Sequence, residues 1–344
     1  MQKSTTIAVD LAKNVFQVAV SHYPGKVSES HRLSRAQFLA FFAQRQPSLV
    51  VLEACGSAHF WARQLQQQGH RVRLLPPDQV RAYVPRNKTD AADARAILEA
   101  HRNEKICTVP VKTVEQQVLT SLHRMRSSWV GERTAKGNLV RGLLRELGLT
   151  IPVGAHRVVP QVRVWLAQEP SPVPQALHRA LEEACQQISG LAEQIRGIEA
   201  QLRALARQIP LVARLMTIPG VGLLIATALV GLVGDMLRFA TCRHFSSFIG
   251  LTPRERSSGA RRWLGRISKA GDVYLRTLLI HGARSALSAA QRRREPDALG
   301  AWAVKVAAKS GFNKATVALA NKMARIVWAV WCREKVYTAE PVAA

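Results

Sequence analysis

Acidic residues are few in this chain: 23 Asp and Glu stand against 49 Lys and Arg, for a formal charge of +26 and a pI near 11.1. So basic a balance points to a polyanionic partner, nucleic acid first and a membrane surface second. The membrane reading lacks its usual carrier, because no single segment concentrates basic residues opposite an apolar helical face. Long hydrophobic runs are missing too. The longest, Ile218 to Val233, is interrupted by Pro219, Gly220 and Gly222 and is too short to cross a bilayer. Met1 to Thr6 leads straight into a strand with no secretory hydrophobic segment. Cysteine is sparse: Cys55, Cys107, Cys185, Cys242 and Cys332 form neither a C-x-x-C pair nor an even framework, which argues against disulfides and zinc. The histidines show no ligand spacing. What remains is a cytosolic protein facing DNA or RNA.

What is present suffices for about two domains and a sizeable core: 344 residues, 47% of them apolar. Ile7-Ala8-Val9-Asp10-Leu11 alternates as a strand, Ala12-Lys13-Asn14 reads as a turn, and Val15 to Val20 as a second strand. Tyr23-Pro24-Gly25-Lys26 turns again before a third strand over Val27 to Leu33. Ser34-Arg35-Ala36-Gln37 has capping-box spacing and opens a helix carrying Phe38, Leu39, Phe41 and Phe42. Leu49-Val50-Val51-Leu52 is the short apolar run of a buried central strand, with Glu53 at its end. A helix from about Ser57 to Gly69 and a strand over Val72 to Leu75 complete an α/β mixed sheet covered by helices. In such sheets functional groups gather at strand ends, where Asp10 and Glu53 fall.

Lys88-Thr89-Asp90-Ala91-Ala92-Asp93-Ala94-Arg95 then opens an apolar helical run through Ile97 and Leu98. Residues three apart share a helix face, so Asp90 and Asp93 point one way. An isolated D-x-x-D is most simply a helix start, because free N–H groups and the macrodipole favour acids in the first turn. The net charge alters that reading. Amid so many cations, clustered acids should be drawn into salt bridges unless something more strongly cationic sits among them. With Asp10 and Glu53 they suggest a divalent-metal site, and magnesium prefers such oxygen ligands.

From about Thr113 the pattern turns to long helices. Val114, Val118, Leu122, Met125 and Trp129 form one stripe, continued by Leu139, Leu143 and Leu147. Beyond a proline-rich break, Leu177, Leu181, Ala184, Ile188, Leu191, Ile195, Ile198, Leu202 and Leu205 alternate spacings of four and three, a coiled-coil seam. Such a seam closes an internal antiparallel hairpin or a dimer, and both stay open. Leu215 to Ala226 reads as helix, Pro219-Gly220-Val221-Gly222, helix. That is the spacing of a helix-hairpin-helix, whose glycines let N–H groups approach a phosphate, and also of an ordinary turn. Ser257-Ser258-Gly259 follows in a loop flanked by Arg254, Arg256, Arg261 and Arg262. It reads as a flexible phosphate-contacting loop, or as the carrier of a hydroxyl nucleophile with guanidinium groups stabilising charge at phosphorus. The remainder is helical, over Asp272 to Ala290 and Ala301 to Cys332.

Together these motifs resemble the DEDD transposases (recombinases) of bacterial insertion sequences, the insertion-sequence one-hundred-ten family, related to Piv-type DNA invertases. Asp10-Leu11-Ala12-Lys13 is similar to the family's first acidic motif, Glu53-Ala54-Cys55-Gly56 to the second, and Lys88 to Ala94 to the third. Gly250-Leu251-Thr252-Pro253 with Ser257-Ser258-Gly259 is similar to its C-terminal motif. Cys55 stands where many relatives have Thr. The resemblance spans nearly the whole chain. It implies a RuvC-like (RNase H-type) domain over residues 1–112, a coiled-coil insertion over 113–208 and a mainly helical transposase domain over 209–344. It further implies magnesium held by Asp10, Glu53, Asp90 and Asp93, and a serine nucleophile at Ser258 that forms a transient 5′-phosphoserine link to DNA. A noncoding bridge RNA would choose donor and target, and dimers or tetramers would combine acids and serine from different subunits, in the bacterial cytoplasm at the nucleoid. Lys13, Lys88, Gly220, Gly222, Arg254, Arg256, Arg261 and Arg262 are the expected nucleic-acid contacts. Three other readings compete. Actin-like and sugar-kinase ATPases share the strand-Asp start but need glycine-rich phosphate turns that do not follow Asp10. A RuvC-like nuclease or resolvase would use water and leave Ser258 to bind. A non-enzymatic nucleic-acid-binding protein fits the charge but not four spaced acids.

Overall fold

Alternating apolar residues place Thr6–Leu11 (β1) and Val15–Ser21 (β2) side by side in an antiparallel pair, which Glu29–Ser34 (β3) extends. The computed structural model describes residues 5–24, 26–85, 89–259 and 261–339, Asp90 by its backbone alone, and divides the chain into Met1–Gln116 and Gln117–Ala344. In the first unit Ser34 starts helix α1 (Arg35–Ala43) through the expected capping box. Its hydroxyl accepts from the Gln37 N–H at 3.3 Å, and Gln37 Oε1 accepts from the Ser34 N–H at 3.0 Å. Leu49–Glu53 (β4) then pairs parallel with β1. After helix α2 (Ala58–Gln67), Arg71–Leu75 (β5) pairs parallel with β4. The sheet order is β3-β2-β1-β4-β5.

Both sheet faces are covered, and the two strand periods decide by what. Ile7, Val9, Phe16, Val18, Val50 and Leu52 face α1 and α2, where Phe16 meets Phe38 at 4.7 Å and Trp61 at 5.1 Å between ring centroids, edge to face. Ala8, Ala19 and Val51 face the other way. Their small side chains admit helix α4 (Asp90–His101), which buries Ala94, Ile97, Leu98 and Ala100 there. A short helix α3 (Pro77–Val80) and a 3-10 turn over Arg81–Tyr83 precede it.

Helices α5 (Val114–Glu146), α6 (Ala155–Leu166) and α7 (Gln175–Ala206) follow. The α7 heptad is buried at Leu181, Ile188, Leu191, Ile195, Ile198 and Leu202. Its partner is internal. Arg126 on α5 binds Glu199 at 2.7 Å, Lys136 reaches Gln187 at 2.6 Å, and Val140 and Leu144 cluster with Leu181, Cys185 and Ile188. That order of contacts makes α5 antiparallel to α7. Of the α5 stripe read from sequence, Leu122 and Trp129 pack against the core of the second unit, whereas Val114, Val118, Met125, Leu139 and Leu143, with Leu147 just past the helix, are exposed. At about 100° per residue the five on α5 fall within an arc of roughly 60°, a narrow exposed apolar strip beside the line on which Leu122 and Trp129 pack.

The remaining elements are α8 (Pro210–Leu215), α9 (Leu223–Val233), α10 (Cys242–Phe248), strands β6 (Pro253–Glu255) and β7 (Leu264–Ile267), and helices α11 (Val273–Arg292), α12 (Ala298–Ser310) and α13 (Phe312–Arg333). Helix α9 is apolar all round and buried, with α7, α8 and α11 against it, as such a composition requires. The single helix expected from Ala301 to Cys332 is two, broken at Gly311 with φ of 84°. No described helix is long and apolar enough to cross a membrane.

Candidate active site

In the parallel ladder of β1 and β4, Val9 stands opposite Leu52, so one residue further on Asp10 and Glu53 are neighbours at the ends of their strands. Side chains alternate along a strand. Ala8 and Val51 lie under α4, and Asp10 and Glu53, two residues on, belong to the same face. Helix α4 runs back against β1: a hollow lined by Thr6, Ser21, Leu98, Glu99, His101 and Arg102 seats its last turn beside the first residue of that strand. The lengths agree. Thr6 to Asp10 spans about 13 Å of strand, and Glu99 back to Asp90 about 14 Å of helix. The first turn of α4, with Asp90 and Asp93, is therefore directed to the sheet end that carries Asp10 and Glu53.

Thr89 caps α4, its Oγ1 accepting from the Ala92 N–H at 3.2 Å. The positive end of the helix dipole thus lies at the turn that carries Asp90 and Asp93. Asp10, Glu53 and Asp93 are half-buried, and Lys13 is exposed in the turn beyond β1. Lys88 and the Asp90 side chain lie outside the described residues. Among the described residues no three His, Cys, Asp or Glu groups stand close enough to hold an ion. The donor set is carboxylate oxygen throughout, which fits a hard divalent cation.

The serine motif occupies the end of a small hairpin. β6 and β7 are antiparallel, the Arg256 N–H donates to the Trp263 carbonyl at 3.0 Å, and Ser258 and Arg261 exchange backbone bonds of 3.3 and 3.2 Å. Gly259, with φ of 55°, makes the turn possible. The two hydroxyls differ. Ser257 Oγ donates to Glu255 Oε1 at 2.8 Å, and Arg262 Nε donates to that same oxygen at 3.0 Å. Together these bonds hold the Glu255 carboxyl below its ordinary range, the serine hydroxyl first and Arg262 second. Ser258 is exposed, and its hydroxyl makes no hydrogen bond among the described residues. Arg254 Nη2 donates to the Ser268 carbonyl at 3.1 Å, and Arg256 lies 6.0 Å from the Trp263 ring centre. Arg261 is exposed beside the turn.

Comparison with known proteins decides the family. A family model described as "Transposase IS116/IS110/IS902 family" matches residues 212–297, and a DEDD transposase model of the IS110 type matches residues 7–148. A probable family 20 transposase of Pseudomonas aeruginosa is 43% identical over 96% of this chain and 98% of its own length. The transposase for insertion sequence element IS1111A of Coxiella burnetii is 40% identical over 98% of this chain and 92% of its own. The chain belongs to the IS110 family of transposases. A third relative, the transposase for element IS1328 of Yersinia enterocolitica, is 35% identical over 98% of this chain and its own full length. Membership makes this transposase an enzyme that cuts and recombines DNA, with divalent-metal dependence in general.

One glycine of the helix-hairpin-helix spacing and one buried histidine of the transposase are set by packing contacts remote in sequence. Gly220 has φ of +85°, and a side chain there would come within 2.6 Å of the Gly282 carbonyl on α11, so its backbone form is explained by packing. Gly222 is exposed at the start of α9. His123 is buried, 2.9 Å from Tyr274 Oη through Nδ1 and 2.9 Å from Thr227 Oγ1 through Nε2. Burial, with the Arg126 charge second, pushes its pKa down to about 4. In the sequence it was a lone histidine on an apolar helix. Its partners lie more than a hundred residues away.

Proposed function

We propose that this transposase cleaves and rejoins DNA strands at the ends and targets of an insertion sequence, through a RuvC-like acidic centre and a serine nucleophile. The observation that carries the reading is the juxtaposition of Asp10 with Glu53 on adjacent strands, on the face of α4, whose first turn is directed to the same end. Asp10, Glu53, Asp90 and Asp93 would hold magnesium. When bound, the ion orients and neutralises the attacking and departing oxygens of a phosphodiester.

The chain's own groups do the rest. Strand ends fix Asp10 and Glu53 with little freedom, and the capped helix start fixes the backbone of Asp90 and Asp93. Arg254, Arg256, Arg261 and Arg262 surround the hairpin turn with cations that bind phosphate and stabilise charge on phosphorus. Ser258 Oγ attacks the phosphorus, an O–P bond forms, the bond to the 3′-oxygen breaks, and the serine proton ends on that departing oxygen. Attack by the 3′-hydroxyl of another strand reverses these bond changes and restores the serine. No external energy source is consumed, because the phosphoserine link conserves the bond. A bridge RNA supplies sequence by base pairing while the protein reads backbone and shape. Dimers or tetramers bring acids and serine from different subunits together.

The test is adduct trapping. Wild-type protein, magnesium, the element's noncoding RNA and element-end DNA should give a covalent protein–DNA band on a denaturing gel. Ser258→Ala should lose both the band and cleavage, whereas Ser257→Ala, whose hydroxyl is engaged by Glu255, should keep the band. Cleavage without any band would establish water as the nucleophile. Cleavage unaffected by Ser258→Ala would remove that residue from the reaction.

A further inference from the structure

Beside the serine hairpin lies a groove of about 870 Å³ that the reaction above does not use. One wall is the hairpin base, with Pro253 and Arg266, and the other is a face of α13. Lys314, Val317, Ala318, Asn321, Lys322 and Arg325 recur at positions i, i+3, i+4, i+7, i+8 and i+11, so a single stripe of α13 meets the groove. The opposite stripe, Ala315, Leu319, Met323 and Val327, is fully buried. Asn321 pins the groove floor, its amide donating to Ser246 Oγ at 2.8 Å and to the Leu251 carbonyl at 3.0 Å.

The lining has an unusual chemistry for an apolar hollow. Arg266, Lys314, Lys322 and Arg325 line it, and no acidic side chain does among the described residues. Lys322 Nζ sits 4.2 Å from the Trp302 ring centre, a cation held within an apolar wall. A second copy of this chain is a poor occupant, since it would bring another +26 of charge toward these four cations. A polyanion with flat apolar faces meets both requirements. Duplex DNA offers its phosphates but hides its base faces, whereas an unpaired strand offers both.

We infer that the groove holds an unpaired nucleic-acid strand, with phosphates on Arg266, Lys314, Lys322 and Arg325 and bases against Val317 and Trp302. The strand would leave the groove along β7, where Arg266 is five residues, about 17 Å, from Arg261 at the turn. The inference rests on the reading of the chain as a DNA-rejoining enzyme, and it specifies where a separated strand lies while the hairpin serine acts on it.

The experiment uses the full chain and labelled oligonucleotides of one sequence as single-stranded DNA, single-stranded RNA and duplex DNA. Affinity is titrated against salt. The triple variant Lys314→Gln/Lys322→Gln/Arg325→Gln should lower the single-strand salt slope by about 2, at roughly 0.7 per phosphate contact. Its duplex binding should change less. Ala318→Glu, which sets a carboxylate in the groove, should weaken single-strand binding by about tenfold or more. A change confined to the DNA arm supports the separated strand of the rejoining reaction, and one confined to the RNA arm overturns it. Photocrosslinking of thio-substituted oligonucleotides to unmodified protein gives a readout that no variant's folding can disturb, and crosslinks should map to β7 and α13. Wild-type slopes in the variants, with crosslinks elsewhere, overturn the groove and leave the proposed function standing. Loss of self-association in the variants without loss of strand binding makes the occupant a protein and also overturns it. If the wild-type chain binds no nucleic acid in any arm, the proposed function falls together with the groove.

Discussion

The acid-bearing end of the sheet and the serine hairpin differ in almost every physical respect. Asp10 and Glu53 end strands whose preceding residues, Val9 and Leu52, are completely buried. Ser258 sits on a two-stranded ribbon whose residues are mostly exposed, tied by a few backbone bonds and by the Glu255–Arg262 pair. One scaffold holds charge in place; the other presents a hydroxyl to solvent. Carboxylates that share an ion gain from rigidity, because each must keep its distance from the others. On the proposed function, a serine nucleophile that must reach a phosphate and later release it would be better served by an element with few buried contacts.

The sharpest way to break this comparison is at the rigid end. Asp10→Asn keeps the volume and removes the charge, so magnesium-dependent strand cleavage should fall roughly a thousandfold or more. A variant that cleaves at the wild-type rate would place the chemistry away from the sheet end.

Next in size come stability effects that separate the two scaffolds. Phe16 has no exposed surface and packs edge to face on Phe38 and Trp61, so Phe16→Ala should cost about 3–5 kcal/mol in urea unfolding. Trp263 on the hairpin is 58% exposed, and Trp263→Ala should cost under about 1 kcal/mol. Similar losses at the two positions would mean that the hairpin is as firmly packed as the sheet.

Much of the first unit was legible because strand alternation and the run Leu49-Val50-Val51-Leu52 are local signals. The first strand, read over Ile7 to Leu11, is observed over Thr6–Leu11, and the Ser34–Gln37 capping box stands as read. The third strand begins at Glu29 rather than Val27, since the turn before it still holds the Ser28 N–H on the Val20 carbonyl at 2.7 Å. The spacing of Asp90 and Asp93 was visible. The course of α4 back along β1, which directs them to Asp10 and Glu53, depends on contacts between Leu98 and the far end of the sheet. The α5 stripe misled for a related reason: periodicity shows that a helix has an apolar face, but the partner decides which face is covered. α7 takes Val140 and Leu144 and leaves Leu139 and Leu143 exposed. His123 carried no signal, because Thr227 and Tyr274 are remote in sequence.

A smaller effect than that of Phe16→Ala lies in acid, where the two units should weaken in different pH windows. His123 in the second unit has its pKa lowered from 6.5 to about 4, chiefly by burial. The unfolded chain binds a proton there before the folded one does, so stability present above pH 6.5 declines as pH falls toward about 4. The loss approaches about 3 kcal/mol if desolvation acts in full. Glu29 in the first unit is lowered from 4.5 to about 2, first by its hydrogen bond with Arg45 and then by that with His31. Its contribution is present above pH 4.5 and fades as pH falls toward about 2; it is the smaller of the two, since the side chain is 34% exposed and screened. Hydrogen exchange resolved by peptide should therefore show α5, α9 and α11 loosening between pH 6.5 and 4 while β2 and β3 keep their protection. His123→Gln should remove most of the first loss, because an amide keeps hydrogen-bonding capacity without a titrating proton. Equal loosening of both units between pH 6.5 and 4, unchanged in His123→Gln, would show that acid acts through charge spread over the chain and not through this buried imidazole.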